Sequence, residues 1–421
     1  MRVLIINTSE KIGGAAIAAR RLMEALKKNG IQVKMLVRDK QTDHINVVQT
    51  DKSWLNVWRF IWERIVIWQA NHFKKHNLFD VDIANTGIDI TTLPEFRQAD
   101  VIHLHWINQG FISLDKLKKI VDSGKPVVWT MHDMWPFTGI CHYANECDKY
   151  KTHCGNCPKL YGRSHNKDIS WRVFRKKQRL LEGSNIGFIA CSRWLEGLAK
   201  ESKLLEGKFI TNIPNAINTK LFHPFNKQEA RAALHLPADR KLILFGSQKI
   251  TDKRKGVKYL IEACRLLAQT HSELAQKISI VIMGKQAEET AALFPFPCHN
   301  MEYVSDERRM VEIYNAVDLY VTPSLQDNLP NTIVEAMACG TPCVGFNVGG
   351  IPQMIDHLHN GYVAEYQSAE DLANGIQWTL SDEIYGELSE AAWRKAKACY
   401  SEDAVARKYI DIYNKATGQH A

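Results

Sequence analysis

The chain has 421 residues, of which 45% are hydrophobic and 24% are charged, a composition that excludes a disordered or fibrous protein. Its length suits two domains of about 200 residues each. The formal net charge of +8 favours an acidic partner, and phosphate groups, an anionic membrane surface and nucleic acid all meet that requirement.

Apolar runs typical of strands alternate with helical patterns from the start of the chain. The strands predicted in the first half cover residues 3–7, 33–37, 101–106, 127–131, 186–191 and 210–214. A helix over 15–28 separates the first two, and the runs are continuous and β-branched, as in strands buried on both faces. This alternation predicts a doubly wound parallel sheet over residues 1–214.

The first apolar run, residues 3–6, is too short for a signal peptide or a membrane-spanning helix. The ten cysteines also lack the arrangement of a secreted disulfide framework. We therefore expect a cytoplasmic protein.

Gly13 and Gly14 follow the first predicted strand and open a helix, where backbone amides can approach a pyrophosphate. An ordinary tight turn is the more frequent explanation of a lone glycine pair. The spacing is not Gly-x-Gly-x-x-Gly, which disfavours a dinucleotide oxidoreductase.

An amphipathic helix is predicted where Trp54, Trp58 and Trp62 recur at every fourth position, with Arg59 and Glu63 on the opposite face. The apolar face either packs into the core or lies among the headgroups of a membrane, as a lipid-linked acceptor requires.

His132 and Asp133 end a predicted strand at the carboxyl edge of the first sheet, where doubly wound folds bind ligands. A lone histidine is more often structural than functional. His103, His105 and His142 are weaker candidates, and we predict no catalytic metal from them.

Four cysteines cluster within seventeen residues, at Cys141, Cys147, Cys154 and Cys157. The last two form a Cys-x2-Cys turn that resembles a zinc knuckle, so a structural zinc ion is one interpretation. Two disulfides, or four unligated thiols near an acceptor cleft, are the alternatives.

The strand pattern restarts after the loop-like segment 215–226. The second set of predicted strands covers residues 242–245, 278–283, 319–322 and 343–346, with a helix over 257–269. We therefore predict an α/β protein with two Rossmann-like doubly wound domains, 1–214 and 215–401, facing across a cleft. A last helical pattern begins at 402, and we expect residues 402–421 to pack back onto the first domain.

The most specific pattern spans residues 323–342, where Asp327 lies in a strand-to-helix loop and Glu335 lies inside the following helix. A carboxylate among apolar neighbours is costly to bury without hydroxyl partners, which a ribose diol would supply. Backbone amides at the start of that helix suit a diphosphate.

This stretch resembles the E-x7-E region of glycosyltransferase family four and its E-A-M-A-x-G-x-P-V continuation, followed by Gly-Gly-Ile-Pro at 349–352. The resemblance covers nearly the whole chain. In detail it is most like the branch of the colanic acid biosynthesis transferases, through the blocks at 103–108 and 129–139. Further motifs fall in the family's order at Gly13-Gly14, His132-Asp133, 213–218, Lys255-Gly256 and 314–318.

The resemblance implies a retaining, metal-independent glycosyltransferase of the two-domain GT-B type, with no cofactor in catalysis. It implies a UDP-, GDP- or ADP-sugar as donor and a saccharide or lipid-linked oligosaccharide as acceptor, in exopolysaccharide, capsule or lipopolysaccharide biosynthesis. Such an enzyme would be cytoplasmic or peripheral on the inner face of the cytoplasmic membrane. The implied catalytic residues are His132, which faces the donor sugar, Asp327 and Lys255. The implied donor-binding residues are Gly13, Gly14, Ser247, Lys249, Arg254, Lys255, Asp327, Asn328, Leu329, Asn331, Thr332 and Glu335.

Two departures from the family pattern affect the donor site. The first acid of the pair is Asp327 instead of Glu, which shortens the reach to the sugar. The family's Gly-Arg is replaced at Gly246-Ser247, so Lys249 or Arg254 has to supply the diphosphate-binding cation.

Three other functions fit parts of the sequence. A sugar nucleotide epimerase and a glycogen-type phosphorylase share the fold, and a non-catalytic scaffold of a polysaccharide synthesis complex would share the motifs. Nucleic acid is not an expected partner, because no strand face interleaves aromatic and basic residues.

Overall fold

The structure is a computed structural model that describes residues 1–50, 54–162 and 164–418. The chain divides into two compact units. Unit 1 contains Met1–Pro214 together with the residues from Val405 onward, and unit 2 contains Asn215–Ala404. Within the described ranges, no helix has both the length and the apolar character needed to cross a bilayer.

Unit 1 is built on seven parallel strands in the order β3-β2-β1-β4-β5-β6-β7. The strands are β1 (Arg2–Ser9), β2 (Gln32–Asp39), β3 (Val47–Gln49), β4 (Val101–Leu104), β5 (Val127–Met131), β6 (Gly187–Ala190) and β7 (Ile210–Asn212). The helices of its first segment are α1 (Gly14–Lys28), α2 (Trp54–Ala70), α3 (Pro94–Gln98), α4 (Leu114–Asp122), α5 (Ile169–Leu181) and α6 (Arg193–Lys200). Strands β4 and β5 are buried along their whole length because both faces of the sheet are covered.

Unit 2 repeats this architecture with six parallel strands in the order β10-β9-β8-β11-β12-β13. Its strands are β8 (Lys241–Lys249), β9 (Ile278–Lys285), β10 (Cys298–Asn300), β11 (Leu319–Thr322), β12 (Cys343–Phe346) and β13 (Gly361–Ala364). Its helices are α7 (Lys227–Ala233), α8 (Val257–Thr270), α9 (Ser272–Lys277), α10 (Glu288–Ala291), α11 (Glu307–Ala316), α12 (Asn331–Ala338), α13 (Ile351–Met354), α14 (Ala369–Thr379) and α15 (Asp382–Lys395).

The strand order reverses between β1 and β4 in unit 1 and between β8 and β11 in unit 2. In doubly wound sheets the loops at the carboxyl edge beside such a reversal form the ligand site. The two sheets confirm the predicted fold class, and every predicted strand is present. The strands that the sequence patterns missed, β3, β10 and β13, have only three or four residues each.

The last helix, α16 (Glu402–Thr417), crosses from unit 2 into unit 1. The Tyr409 hydroxyl lies 2.9 Å from the Thr130 hydroxyl, and the Tyr413 hydroxyl lies 2.7 Å from His103 Nδ1. Both contacts are buried, so α16 is fixed to β4 and β5 by side chains from its inner face.

Helix α2 is amphipathic, but its two faces are the reverse of those in a core helix. Trp54, Trp58 and Trp62 are 69%, 54% and 54% exposed, whereas Glu63 and Arg64 are buried. Of the two alternatives for the tryptophan face, packing into the core is therefore excluded for these three residues, and Glu63, on the predicted opposite face, is buried.

Residues 81–84 satisfy part of the hydrogen-bonding capacity of the buried charges of α2. Glu63 Oε1 accepts hydrogen bonds from the amides of Ile83 (2.9 Å) and Ala84 (2.7 Å), and Arg64 pairs with Asp82. Periodicity alone identifies residues that share a face, but these tertiary partners decide which face is buried.

Candidate functional site

Two of the predicted catalytic residues meet at the carboxyl edge of the unit 2 sheet. Lys255 Nζ lies 2.5 Å from Asp327 Oδ2, and both side chains are mostly buried. Lys255 follows β8 and Asp327 follows β11, so the pair lies at the reversal of strand order. A buried cation beside a carboxylate at this position can exchange its partner for a phosphate.

Glycines allow the loops around this pair to approach each other closely. Gly256 has φ +69°, and a Cβ atom there would lie 1.9 Å from the Pro323 carbonyl oxygen. Gly349 has φ +58°, and a Cβ atom there would lie 1.8 Å from the Asp327 carbonyl oxygen. Other residues are excluded from both positions by space and by backbone conformation.

Helix α12 begins directly after the Asp327 loop. Its N-cap residue, Pro330, makes no side-chain cap hydrogen bond and has no amide proton to satisfy. Hydrogen bonds within unit 2 hold the side chains at this end of the helix. Asn331 Oδ1 accepts a hydrogen bond from the Asn215 side-chain amide (2.9 Å), and Thr332 Oγ1 accepts one from the Tyr320 hydroxyl (2.8 Å). Asn328 and Leu329, from the same predicted set, are buried in the loop.

Glu335 is 2% exposed, as its apolar neighbours in α12 predicted. The hydroxyl of Tyr314, on α11, donates to Glu335 Oε2 at 2.9 Å. Burial and the Glu335 carboxylate raise the pKa of Tyr314 well above its ordinary value, which keeps the phenol as a donor. The sequence marked residues 314–318 as a family motif but did not predict this contact, because the hydroxyl expected from a ligand is supplied in part by another helix.

The two candidates for the missing diphosphate-binding arginine differ in position. Arg254 Nη1 donates to the Gln326 carbonyl (3.1 Å), which places Arg254 against the Asp327 loop. Lys249 is exposed at the end of β8, after a break in its pairing with β9, and its carbonyl accepts from Ser247 (3.0 Å). The structure brings Arg254, Lys255 and Asp327 together and leaves Lys249 on the strand end.

In unit 1, Gly13 and Gly14 form the turn from β1 into α1. Both are exposed, and Gly13 has φ +92° with open space around its α-carbon. Only glycine adopts this backbone conformation readily. Because the turn is exposed and carries no side chain, the start of α1 is accessible to a ligand.

His132 lies at the end of β5, with neighbours at both ring nitrogens. Its Nε2 is 2.9 Å from His105 Nδ1, and its Nδ1 is 3.5 Å from Cys191 Sγ. Burial lowers the pKa of His132 to about 4, although Asp133 acts in the opposite direction. The imidazole is therefore neutral at neutral pH. His103, one strand away, takes Thr130 and Tyr413 as partners.

Asp133 is surrounded by donors. Its Oδ1 accepts from the Trp135 amide (2.9 Å), and its Oδ2 faces Trp106 Nε1 (3.0 Å) and His142 Nδ1 (2.7 Å). Burial acts to raise the pKa of Asp133, but His142 and these donors outweigh it and lower the pKa below its ordinary value. Asp133 is an anionic anchor and not a base.

Residues 12–221 match the family described as Glycosyltransferase Family 4, and residues 226–398 match Glycosyl transferases group 1. The chain belongs to the family 4 glycosyltransferases. The family resemblance that the sequence predicted is therefore confirmed.

Three similar proteins illustrate the range of these transferases. Escherichia coli K12 WcaC, whose name assigns it to colanic acid biosynthesis, is 23% identical over 337 residues, or 77% of each chain. The N,N'-diacetylbacillosaminyl-diphospho-undecaprenol alpha-1,3-N-acetylgalactosaminyltransferase of Campylobacter jejuni is 26% identical over 223 residues, which are 51% of this chain and 55% of that enzyme. The solved structure of Anabaena HepE with UDP-glucose has a TM-score of 0.65 at 16% identity and covers 99% of this chain and 100% of that one.

The cysteine cluster of this glycosyltransferase lies in unit 1, after the His132 loop. Cys141, Cys154 and Cys157 are buried and Cys147 is half-buried, and all four are free thiols. Burial raises the pKa of Cys154 and of Cys157 to about 12, and Cys154 Sγ accepts from the Gly139 amide (3.2 Å). In the described parts of the chain, no three His, Cys, Asp or Glu side chains are arranged to hold a metal ion. The zinc site stays a prediction.

Proposed function

We propose that this glycosyltransferase is a retaining, metal-independent hexosyltransferase that uses a nucleotide diphosphate sugar. Its acceptor is a saccharide, most simply a lipid-linked precursor of an exopolysaccharide, capsule or lipopolysaccharide. The observation that carries the proposal is the Lys255–Asp327 pair, set by glycine-lined loops beside the start of α12.

The donor diphosphate is proposed to bind beside Lys255 and Arg254, with the first amides of α12 directed at it. These cations and the helix start stabilise the negative charge that develops on the diphosphate as the glycosidic bond breaks. Glu335 binds the ribose, and Asp327, once released from Lys255, binds the donor sugar. HepE was solved with UDP-glucose, so a uridine donor is the first to test.

His132 is proposed to orient the donor sugar and to support the positive charge on its ring, without acting as the general base. A neutral imidazole with a pKa of about 4 takes up a proton poorly at neutral pH. The leaving phosphate is the better acceptor for the hydroxyl proton of the incoming saccharide. That route places the attacking hydroxyl on the same face as the leaving group, which gives retention.

Metal independence is proposed because the Asp-x-Asp sequence at residues 80–82 is already committed. Asp82 is buried and pairs with Arg64 and His142. A carboxylate with two cationic partners has little capacity left for a metal diphosphate. Activity in the presence of EDTA tests this.

Contact with the cytoplasmic membrane surface is proposed to occur through α2. Three exposed tryptophans on one helix face and a net charge of +8 suit an anionic interface. The name of the Campylobacter relative specifies an undecaprenol-linked acceptor, and an enzyme meets a lipid-linked acceptor at a membrane surface. Sedimentation with phosphatidylglycerol vesicles should weaken in Trp58→Ser and not in Phe209→Ser, a matched exposed aromatic elsewhere in unit 1.

The decisive experiment combines a binding screen with product analysis. Thermal shifts with UDP-, GDP- and ADP-sugars identify the donor, because a ligand bound only by the folded state raises its stability. NMR of the first-formed product then gives the anomeric configuration. An inverted linkage would overturn the retaining mechanism.

A further inference from the structure

We propose that His142 is a positioning residue, held as an imidazolium between Asp82 and Asp133, and that it connects helix α2 to the loop of His132. Its effect on catalysis rests on the proposed function, whereas its charge state does not. The sequence offered His142 only as a weak candidate ligand, and nothing in the proposed reaction uses it.

The charge state follows from hydrogen-bond chemistry. His142 Nδ1 lies 2.7 Å from Asp133 Oδ2, and His142 Nε2 lies 2.6 Å from Asp82 Oδ2. An ionised carboxylate only accepts hydrogen bonds, so both ring nitrogens have to carry a proton. Transfer of a proton to either acid is disfavoured, because Arg64 also pairs with Asp82 and two further N–H groups donate to Asp133.

The imidazolium joins three segments that are distant in sequence. Asp133 is adjacent to His132, and its carboxylate also fixes the Trp106 indole at the end of β4. The Trp106 ring packs against the His142 ring at a centroid distance of 5.7 Å and an interplanar angle of 30°. Loss of the His142 charge would leave two buried carboxylates facing each other across a neutral ring, and the His132 loop would lose its anchor.

On its other side the imidazolium is connected to α2. Asp82 pairs with Arg64, and the amides of residues 83–84 bind Glu63. Both charged side chains come from the buried face of the helix whose opposite face exposes the tryptophans. A displacement of α2 at its exposed face is therefore transmitted to Asp133 through paired charges.

Other charged groups face this cluster. Arg64 and Glu63 approach from α2. Lys177, on α5, donates to the carbonyls of Trp135 (2.5 Å) and Thr138 (3.1 Å), and burial lowers its pKa to about 7.

Histidine-selective 15N NMR tests the charge state in the full-length protein. The His142 signals, assigned by their loss in His142→Gln, should show a doubly protonated ring at about pH 8, where an ordinary histidine is neutral. Exposed His153, assigned by His153→Gln, serves as the internal reference. A neutral His142 ring at pH 7 would overturn the proposal.

Steady-state kinetics test the positioning role. His142→Gln should lower kcat for transfer, or for hydrolysis of the donor without acceptor, by at least about tenfold while the donor KM stays near its wild-type value. Asp82→Asn removes one of the two carboxylate partners of His142 and should also lower kcat while the donor KM stays near its wild-type value, and it carries the test if His142→Gln does not fold. A kcat in both variants equal to that of His153→Gln refutes the positioning role. Inactive wild-type protein would instead count against the proposed function, and the NMR result would still decide the charge state.

Discussion

Replacing Gly256 by alanine tests whether the geometry of the Lys255–Asp327 pair determines activity. Gly256 follows Lys255 directly and has φ +69°, a conformation that costs an alanine roughly 1–2 kcal/mol. The added Cβ atom would also lie 1.9 Å from the Pro323 carbonyl oxygen, closer than real contacts allow. One of the two loops therefore has to move by about 1 Å or more.

The expected stability loss is the sum of these two effects. Overpacking against a backbone atom adds about 1–3 kcal/mol to the conformational strain. Gly124→Ala is the matched control, because Gly124 has φ +73° and an added Cβ atom there would have no atom within 4 Å. The difference between the two variants isolates the effect of the contact with Pro323.

The functional effect should be larger than the effect on stability. A displacement of about 1 Å in a catalytic group lowers turnover by about a hundredfold. We expect Gly256→Ala to lose this much kcat and to bind the donor more weakly, and Gly124→Ala to retain both. The assays are urea denaturation, donor titration by calorimetry and steady-state transfer. Equal kcat values in folded Gly256→Ala and in Gly124→Ala would refute the assigned role of this turn.

The remaining predictions concern the donor site, His132, the metal and the dependence of stability on pH. Lys255→Ala and Glu335→Ala should each weaken nucleotide sugar binding by about 1–3 kcal/mol in calorimetric titrations, and unchanged affinity in both would contradict the donor site. His132→Ala should lower kcat steeply with nucleotide affinity nearly intact, since its contact is made mainly in the transition state. If the cysteines hold zinc, elemental analysis of protein purified without chelator should give about one zinc per chain, and Cys154→Ser should lose both zinc and stability. The two carboxylates raise the pKa of His142 to about 10. The protonated ring therefore stabilises the fold fully below the unfolded pKa of about 6.5, and this contribution is lost as the pH rises towards 10. Over that range the wild-type protein should lose stability more steeply than His142→Gln.

The strands of both sheets could be predicted because their residues are buried on both faces and form continuous apolar runs. The edge strands could not, since three or four residues carry too little periodicity. Asp327, Lys255 and Glu335 were predicted as site residues from their local sequence and from the family pattern, and their roles stay a prediction. The contact of the Tyr314 hydroxyl was not predicted, because a contact between α11 and α12 leaves no local signature.

Helix α2 shows a different kind of failure. Its period was correct, but hydrophobicity alone left the tryptophan face open between core and interface, because it takes no account of partners that charged residues have inside the protein. Residues 81–84 supply those partners for Glu63 and Arg64. The arrangement around Asp133 was also missed, because the residues that form it come from four separate segments of the chain.

The return of α16 to unit 1 has a consequence for biosynthesis of the protein. Unit 1 is interrupted in sequence by the whole of unit 2, and its buried Tyr409 and Tyr413 come from the last part of the chain. The ribosome delivers these tyrosines after all of unit 2, so Thr130 and His103 wait for their hydroxyl partners until unit 2 has been synthesised. The layer next to His132 is therefore completed only after unit 2, and a nascent chain that stops at the end of unit 2 would lack these two buried tyrosines.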